Sequence, residues 1–133
     1  AIGGSTILEQ DEILLYVELE KKQENSFQWY EKYRTRKTID FPVVSIAVSF
    51  LSEKGVISNP SIALGAVAPI PLRMKETEEF LEGKTLTREM IDKASKLIVS
   101  DTMPLAENKH KITVVSVLFN RILGKYLNDN NNA

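Results

Sequence analysis

The chain has 133 residues, enough for one domain with a real core, and its 43% hydrophobic and 26% charged residues are the proportions of a soluble globular protein. Its 17 basic and 18 acidic residues leave a net charge of −1, which excludes recruitment of nucleic acid or of an anionic membrane by bulk charge. Cysteine is absent, which excludes disulfides, thiol nucleophiles and cysteine-held zinc or iron–sulfur clusters in this chain, and the single His110 builds no metal site alone.

No apolar run approaches the ~18 residues of a membrane-crossing helix. The N-terminus also lacks the basic-then-apolar order of a signal peptide, so a cytoplasmic, reducing setting is expected. Residues 1–6 include Gly3, Gly4 and Ser5 without an initiator methionine. They read as a cut end, and a longer parent is expected.

Residues 11–19 read D-E-I-L-L-Y-V-E-L, whose β-branched and aromatic content predicts a strand after a turn at Glu9, Gln10 and Asp11. A polar turn follows over 20–25. Residues 26–33 place Phe27, Trp29, Glu31 and Tyr33 on one face and Gln28, Tyr30 and Lys32 on the other, predicting a second strand antiparallel to the first. The basic run Arg34, Arg36 and Lys37 predicts an exposed loop reaching to Asp40.

Residues 41–51 hold the longest apolar run, with Val44, Ile46, Val48 and Phe50 alternating against Ser45, Ala47 and Ser49. Gly55 predicts a hairpin, and residues 61–67 pair back as a strand in which Gly65 allows close approach of a neighbouring backbone. Pro69 and Pro71 then impose an extended link, because each fixes its own φ and restricts the residue before it. A short helix with Glu76, Glu78 and Glu79 in its first turns stops at Gly83.

Thr87 is the predicted N-cap of a helix carrying Met90, Ile91, Ala94, Leu97 and Ile98 on one stripe, broken by Met103-Pro104. The last helix is predicted over 111–127, with Ile112, Val115, Leu118, Phe119, Ile122, Leu123 and Tyr126 facing inward. Residues 128–133, four asparagines among them, have nothing to bury and are expected to be a disordered tail. Strands followed by helices give an α+β fold: an antiparallel three- to four-stranded sheet with about three helices packed on one face, in a single domain over 1–133.

Two stretches resemble a known family. The string I-A-L-G-A-V-A-P-I-P-L-R, with E-E-F-L-E-G-K and T-R-E-M-I-D-K-A-S-K after it, closely resembles the C-terminal domain of flavoprotein subunits of molybdenum hydroxylases, the family of xanthine dehydrogenase and carbon monoxide dehydrogenase. The stretch Y-E-K-Y-R-T-R-K-T-I-D-F shows the family's aromatic, a lysine two residues on, a basic loop and an aspartate eight residues past the lysine: Tyr30, Lys32, residues 34–37 and Asp40. The resemblance implies that Lys32 contacts FAD, as does Leu14 in E-I-L-L-Y. A fixed ammonium beside the negatively charged N1–C2=O edge of reduced flavin stabilises that form. Leu14 has no chemistry of its own, and its contact would be backbone or apolar.

The same resemblance implies that FAD is held mainly by a preceding N-terminal portion, and that the molybdenum cofactor and iron–sulfur clusters belong to partner subunits or domains. Electrons would pass from molybdenum through the clusters to FAD. This domain would cover the flavin, pack against its partners, perform no reaction alone and allow a homo-oligomer; neither nucleic acid nor membrane is an expected partner. The alternative is a structural, dimerisation or interaction domain with no direct cofactor contact.

Other readings are local. The basic loop is either a solvated turn or a guide for an anionic electron acceptor, with the turn favoured. Asp40 pairs with Arg36 or caps backbone amides. Trp29 and Tyr30 lie on opposite faces of a strand and cannot both face one ligand. His110 is expected at the surface. In P-L-A-E-N-K-H-K-I-T-V-V, residues 104–115, the chain departs from the family: Glu107 replaces an aspartate, Lys109 stands for a basic residue, and Val114 and Val115 replace a Tyr-Arg pair. The contacts of the last helix with neighbouring domains are where that departure bears.

Overall fold

A computed structural model describes residues 8–19, 21, 23–36, 41–100 and 109–131. Four strands, β1 (Ser26–Tyr33), β2 (Val44–Glu53), β3 (Val56–Gly65) and β4 (Leu72–Arg73), form one antiparallel sheet in chain order. Three helices follow: α1 (Lys75–Leu81), α2 (Arg88–Ser100) and α3 (Lys109–Asn131).

The alternation in β2 decides which face is covered. Val44, Ile46, Val48 and Phe50 are buried, and with Ile57, Ile62 and Leu64 of β3 they join one core with Ile91, Ala94 and Ile98 of α2 and Val115, Phe119, Ile122 and Leu123 of α3. Phe27, Phe50 and Tyr126 close one end of that core, with ring centroids 4.9–5.2 Å apart. The Tyr126 hydroxyl donates to Ser52 Oγ, which gives the buried ring a polar partner.

Lys54 and Gly55 both have positive φ, at 50° and 81°, the backbone of the tight turn that suits a twisted hairpin. The register then slips by one residue opposite Ser49–Leu51. The additional residue lies in β3 around Asn59, whose φ is 50°, and Pro60, which has no N–H to leave unpaired. The Glu82 carboxylate accepts the Asn59 amide at 2.9 Å and ties the bulge to the end of α1.

The strand predicted over 11–19 is not formed. Residues 12–19 have no regular structure and are exposed. A strand placed beside β1 would cover only one of its own faces, and this segment is apolar on both, so among the described residues no position covers both of its faces. The fourth strand comes instead from Leu72 and Arg73, beyond the two prolines. Of the disordered tail expected over 128–133, residues 128–131 are helical, since α3 continues through Asn131, with Asn128 Oδ1 accepting Arg88 Nη2 at 3.0 Å and Asn130 Nδ2 donating to the Tyr126 carbonyl at 2.9 Å, and residues 132 and 133 lie outside the described residues. Helix α3 also starts two residues earlier than predicted.

Other expectations are met. Thr87 Oγ1 accepts the Met90 amide at 3.2 Å as the N-cap of α2, and Gly83 follows α1 with φ 71°. Within α2 the buried stripe is Ile91, Ala94, Ser95 and Ile98, with Met90 and Leu97 half-buried at its sides.

Candidate functional site

With all helices on one face, the other face of the sheet is built from β1 to β3. Pairing sets Gln28, Tyr30 and Lys32 of β1 opposite Ser49, Ala47 and Ser45 of β2, and those opposite Ser61, Ala63 and Gly65 of β3. Large side chains therefore stand along the edge strand and small ones pave the two central strands. The result is a shallow hollow of about 580 Å³, lined by Leu19, Gln28, Tyr30, Ala47, Ser49, Ser61 and Ala63 among others.

At one end of this face lies the row Lys32, Ser45, Gly65. A Cβ on Gly65 would stand 2.5 Å from Ser45 Oγ, so the glycine admits the serine hydroxyl rather than, as expected, a neighbouring backbone. The next residue, Ala66, has φ 63°, and its carbonyl accepts Lys111 Nζ at 2.7 Å. A strained turn is thus held by a lysine from the start of α3.

Lys32 is half-buried and also lines a second hollow of about 400 Å³, with Glu31, Tyr33, Arg34, Thr35, Arg36, Leu118 and Arg121. Four of these residues are cationic and one is acidic, so the hollow favours anions. Glu31 is engaged by Arg121 of α3 at 3.1 Å. This cluster joins β1, the basic loop and α3.

The predicted residues divide accordingly. Lys32, Arg34 and Arg36 come together at one end of the sheet. Leu14 does not join them: it is 69% exposed and lines neither hollow. Trp29 faces α3, with Lys125 Nζ 4.9 Å from its ring centre, while Tyr30 is exposed on the open face, so the two aromatics do point apart. His110 is exposed, as expected. Lys37 and Asp40 lie outside the described residues, as do the Met103-Pro104 break and Glu107. Among the described residues no group of three or more histidine, cysteine or acidic side chains is placed to hold a metal ion.

Arg121 is the participant that sequence reading missed. Its signal was its place three residues after the inward-facing Leu118, on the helix side next to the core stripe. No helix among the described residues is long and apolar enough to cross a membrane.

The comparisons agree with this fold. The family model described as "CO dehydrogenase flavoprotein C-terminal domain" matches residues 29–126. Xanthine dehydrogenase 1 of Arabidopsis thaliana is 36% identical over 97 residues, covering 70% of this chain and 7% of that protein. The carbon monoxide dehydrogenase medium chain of Hydrogenophaga pseudoflava is 25% identical over 123 residues, 92% of this chain and 42% of its own length, an alignment too long to leave out residues 13–19. A solved structure of carbon monoxide dehydrogenase from the same organism, in a form lacking the Mo-pyranopterin moiety of its cofactor, superposes with TM-score 0.70 at 28% identity, over 77% of this chain and 37% of that one. The chain spans less than half the length of each of these relatives.

Proposed function

The chain belongs to the CO dehydrogenase flavoprotein C-terminal domain family, and from that premise we propose that it is the C-terminal part of the FAD-binding electron-transfer subunit of a molybdenum hydroxylase. The family match over residues 29–126 carries this reading, because it takes in Lys32, the basic turn and the open sheet face together. The single domain over 1–133 would follow a larger FAD-binding portion and pack against iron–sulfur and molybdenum subunits, alone or in a homo-oligomer.

The residues at the open end of the sheet fit a flavin. Ser45 and Gly65 beside Lys32 put no bulky side chain between its stem and the open face, and Tyr30 and the small residues of β2 and β3 offer a flat, partly apolar floor. FAD, when bound, supplies the two-electron carrier that accepts electrons originating at molybdenum and passed on through iron–sulfur clusters. Lys32 would set its ammonium against the flavin's negative edge and favour the reduced form. Arg34, Arg36 and Arg121 would raise the local concentration of an anionic acceptor. Leu14 would reach the cofactor only through the preceding portion, since it lines neither hollow of this domain.

The test is a flavin titration of this chain mixed with the preceding flavin-binding portion, comparing wild type with Lys32→Ala. Binding that needs both pieces, with a lower flavin potential in the variant, supports a cofactor contact. FAD held equally well without this chain, and unmoved by Lys32→Ala, makes the domain a structural or dimerisation module.

A further inference from the structure

Lys111 stands where the electrostatics of its own helix disfavour it. It is the third residue of α3, in a first turn without acidic side chains, where a cation meets the positive end of the helix dipole. Its half-buried side chain instead reaches out of the helix, and Nζ donates to the carbonyl of Ala66, 45 residues earlier, at 2.7 Å. Ala66 has φ 63°, a left-handed backbone that glycine adopts freely and that strains a residue with a Cβ. The chain thus combines a strained alanine with a lysine that holds it.

From Ala66 a chain of contacts runs across the sheet to Lys32. Gly65, the last residue of β3, pairs with Ser45, whose hydroxyl occupies the space beside it so closely that a Cβ there would stand 2.5 Å away. Ser45 in turn pairs with Lys32. Two strand spacings of about 4.8 Å each therefore separate the backbone of Gly65 from that of Lys32. On the other side of Ala66 the chain is anchored, because Val67 is 7% exposed and Leu72, past the two prolines, pairs back with Leu64. Relaxation of the turn at Ala66 is then taken up at Gly65, which has no side chain to hold it.

We propose that Lys111 is a positioning residue for the end of the sheet that carries Lys32: by holding the Ala66 carbonyl it keeps Gly65 and Ser45 in place, and so sets where the Lys32 ammonium stands. This deepens the functional reading above and rests on it. Lys111 acts on the backbone of β3 through Ala66, and Lys32 alone meets the flavin. The stabilisation of reduced flavin by an ammonium depends on their separation, so releasing the turn shifts the potential that Lys32 sets.

The experiment compares wild type, Lys111→Met, Ala66→Gly and the double variant. Methionine keeps an unbranched stem and loses the donor, and glycine adopts φ 63° without being held. In amide NMR spectra of this chain, Lys111→Met should shift the signals of Gly65, Ser45 and Lys32, whereas with glycine at 66 the same change should leave Ser45 and Lys32 unmoved. In the longer polypeptide that includes the flavin-binding portion, Lys111→Met should lower the flavin midpoint potential, by less than Lys32→Ala does, and should have no effect in the Ala66→Gly background. A fall that persists with glycine at 66 overturns the proposal, because lost charge and not a released turn then explains it. Signals of Ser45 and Lys32 that ignore Lys111→Met overturn it too. A potential lowered by Lys32→Ala and unmoved by Lys111→Met overturns it while leaving the flavin reading intact. A potential unmoved by Lys32→Ala overturns the flavin reading, and shifted Lys32 signals still support the link from Lys111. Where Lys111→Met alone does not fold, folding restored by Ala66→Gly supports the proposal, and a double variant that also fails to fold overturns it.

Discussion

Arg73 and Glu78 are joined twice, Nε to Oε1 and Nη2 to Oε2, each at 2.8 Å, and Glu78 Oε1 also accepts the Ile62 amide at 2.7 Å. One carboxylate, 8% exposed, therefore links β3, β4 and α1. The fork geometry of the guanidinium matches the carboxylate, and the third bond occupies a lone pair that burial would otherwise strand. The double-proline link runs into Arg73, and this clamp gives its direction a fixed end.

Replacing Glu78 with alanine removes all three bonds at a buried position. The expected loss is about 2–3 kcal/mol, the range for hydrogen bonds to charged groups and below that of a fully buried pair, because Arg73 is half-exposed. Chemical denaturation of wild type and Glu78→Ala measures it. A loss under about 0.5 kcal/mol, the level of an exposed ion pair, would show that the clamp contributes nothing beyond a surface contact.

The same carboxylate makes stability depend on pH. Burial pushes the Glu78 carboxyl up, but the hydrogen bonds from Arg73 and the Ile62 amide, with the charges of Arg73 and Lys75, outweigh it and hold the group below the ordinary glutamate range. A carboxyl lowered in the folded state binds its proton more readily when unfolded. Its stabilisation is complete above the unfolded value, about 4.3, and disappears as pH falls through the lower folded value. Melting temperatures of wild type and Glu78→Gln, measured from neutral pH downward, should therefore differ most above about pH 5 and converge in acid. A gap that widens as pH falls would reverse the sign of this coupling.

Gly65 and Ser45 should behave as a coupled pair. Gly65→Ala brings a methyl to 2.5 Å from the Ser45 hydroxyl, and the expected cost is about 1–2 kcal/mol, as for other overpacked sites. Removing the hydroxyl with Ser45→Ala leaves only Ser45 Cβ, 3.9 Å away, so the double variant should be more stable than the sum of the two single changes predicts. Additive effects in a double-mutant cycle would mean that the strand backbones, and not this contact, absorb the methyl.

Truncation after Leu127 tests the end of α3. Loss of the last helical residues removes the Arg88–Asn128 and Asn130–Tyr126 hydrogen bonds and the Lys125–Asp129 ion pair. Apart from the part-buried Asn130–Tyr126 bond these groups are exposed, so the expected destabilisation is modest, about 0.5–1.5 kcal/mol. An unchanged melting temperature would restore the reading of these residues as a tail with no structural role.

Periodicity and turn chemistry by themselves determined β1, β2, the Lys54–Gly55 hairpin, the Thr87 cap and the core stripe of α3, because each depends on neighbours within a few residues along the chain. The two resembling stretches also determined the family, through side chains that happen to lie in one fold. Only the tertiary structure decided the rest. Nothing local to 11–19 separates a strand that pairs from an apolar segment left exposed, since the difference is whether other parts of the fold lie against it. The polar composition of 128–131 argued for disorder until Arg88, forty residues earlier, supplied a hydrogen bond to Asn128. Arg121 enters the basic hollow, and Glu78 closes the clamp on the Ile62 amide, across separations of 90 and 16 residues. Such contacts are properties of three-dimensional proximity, and the order of residues along the chain carries no direct record of them.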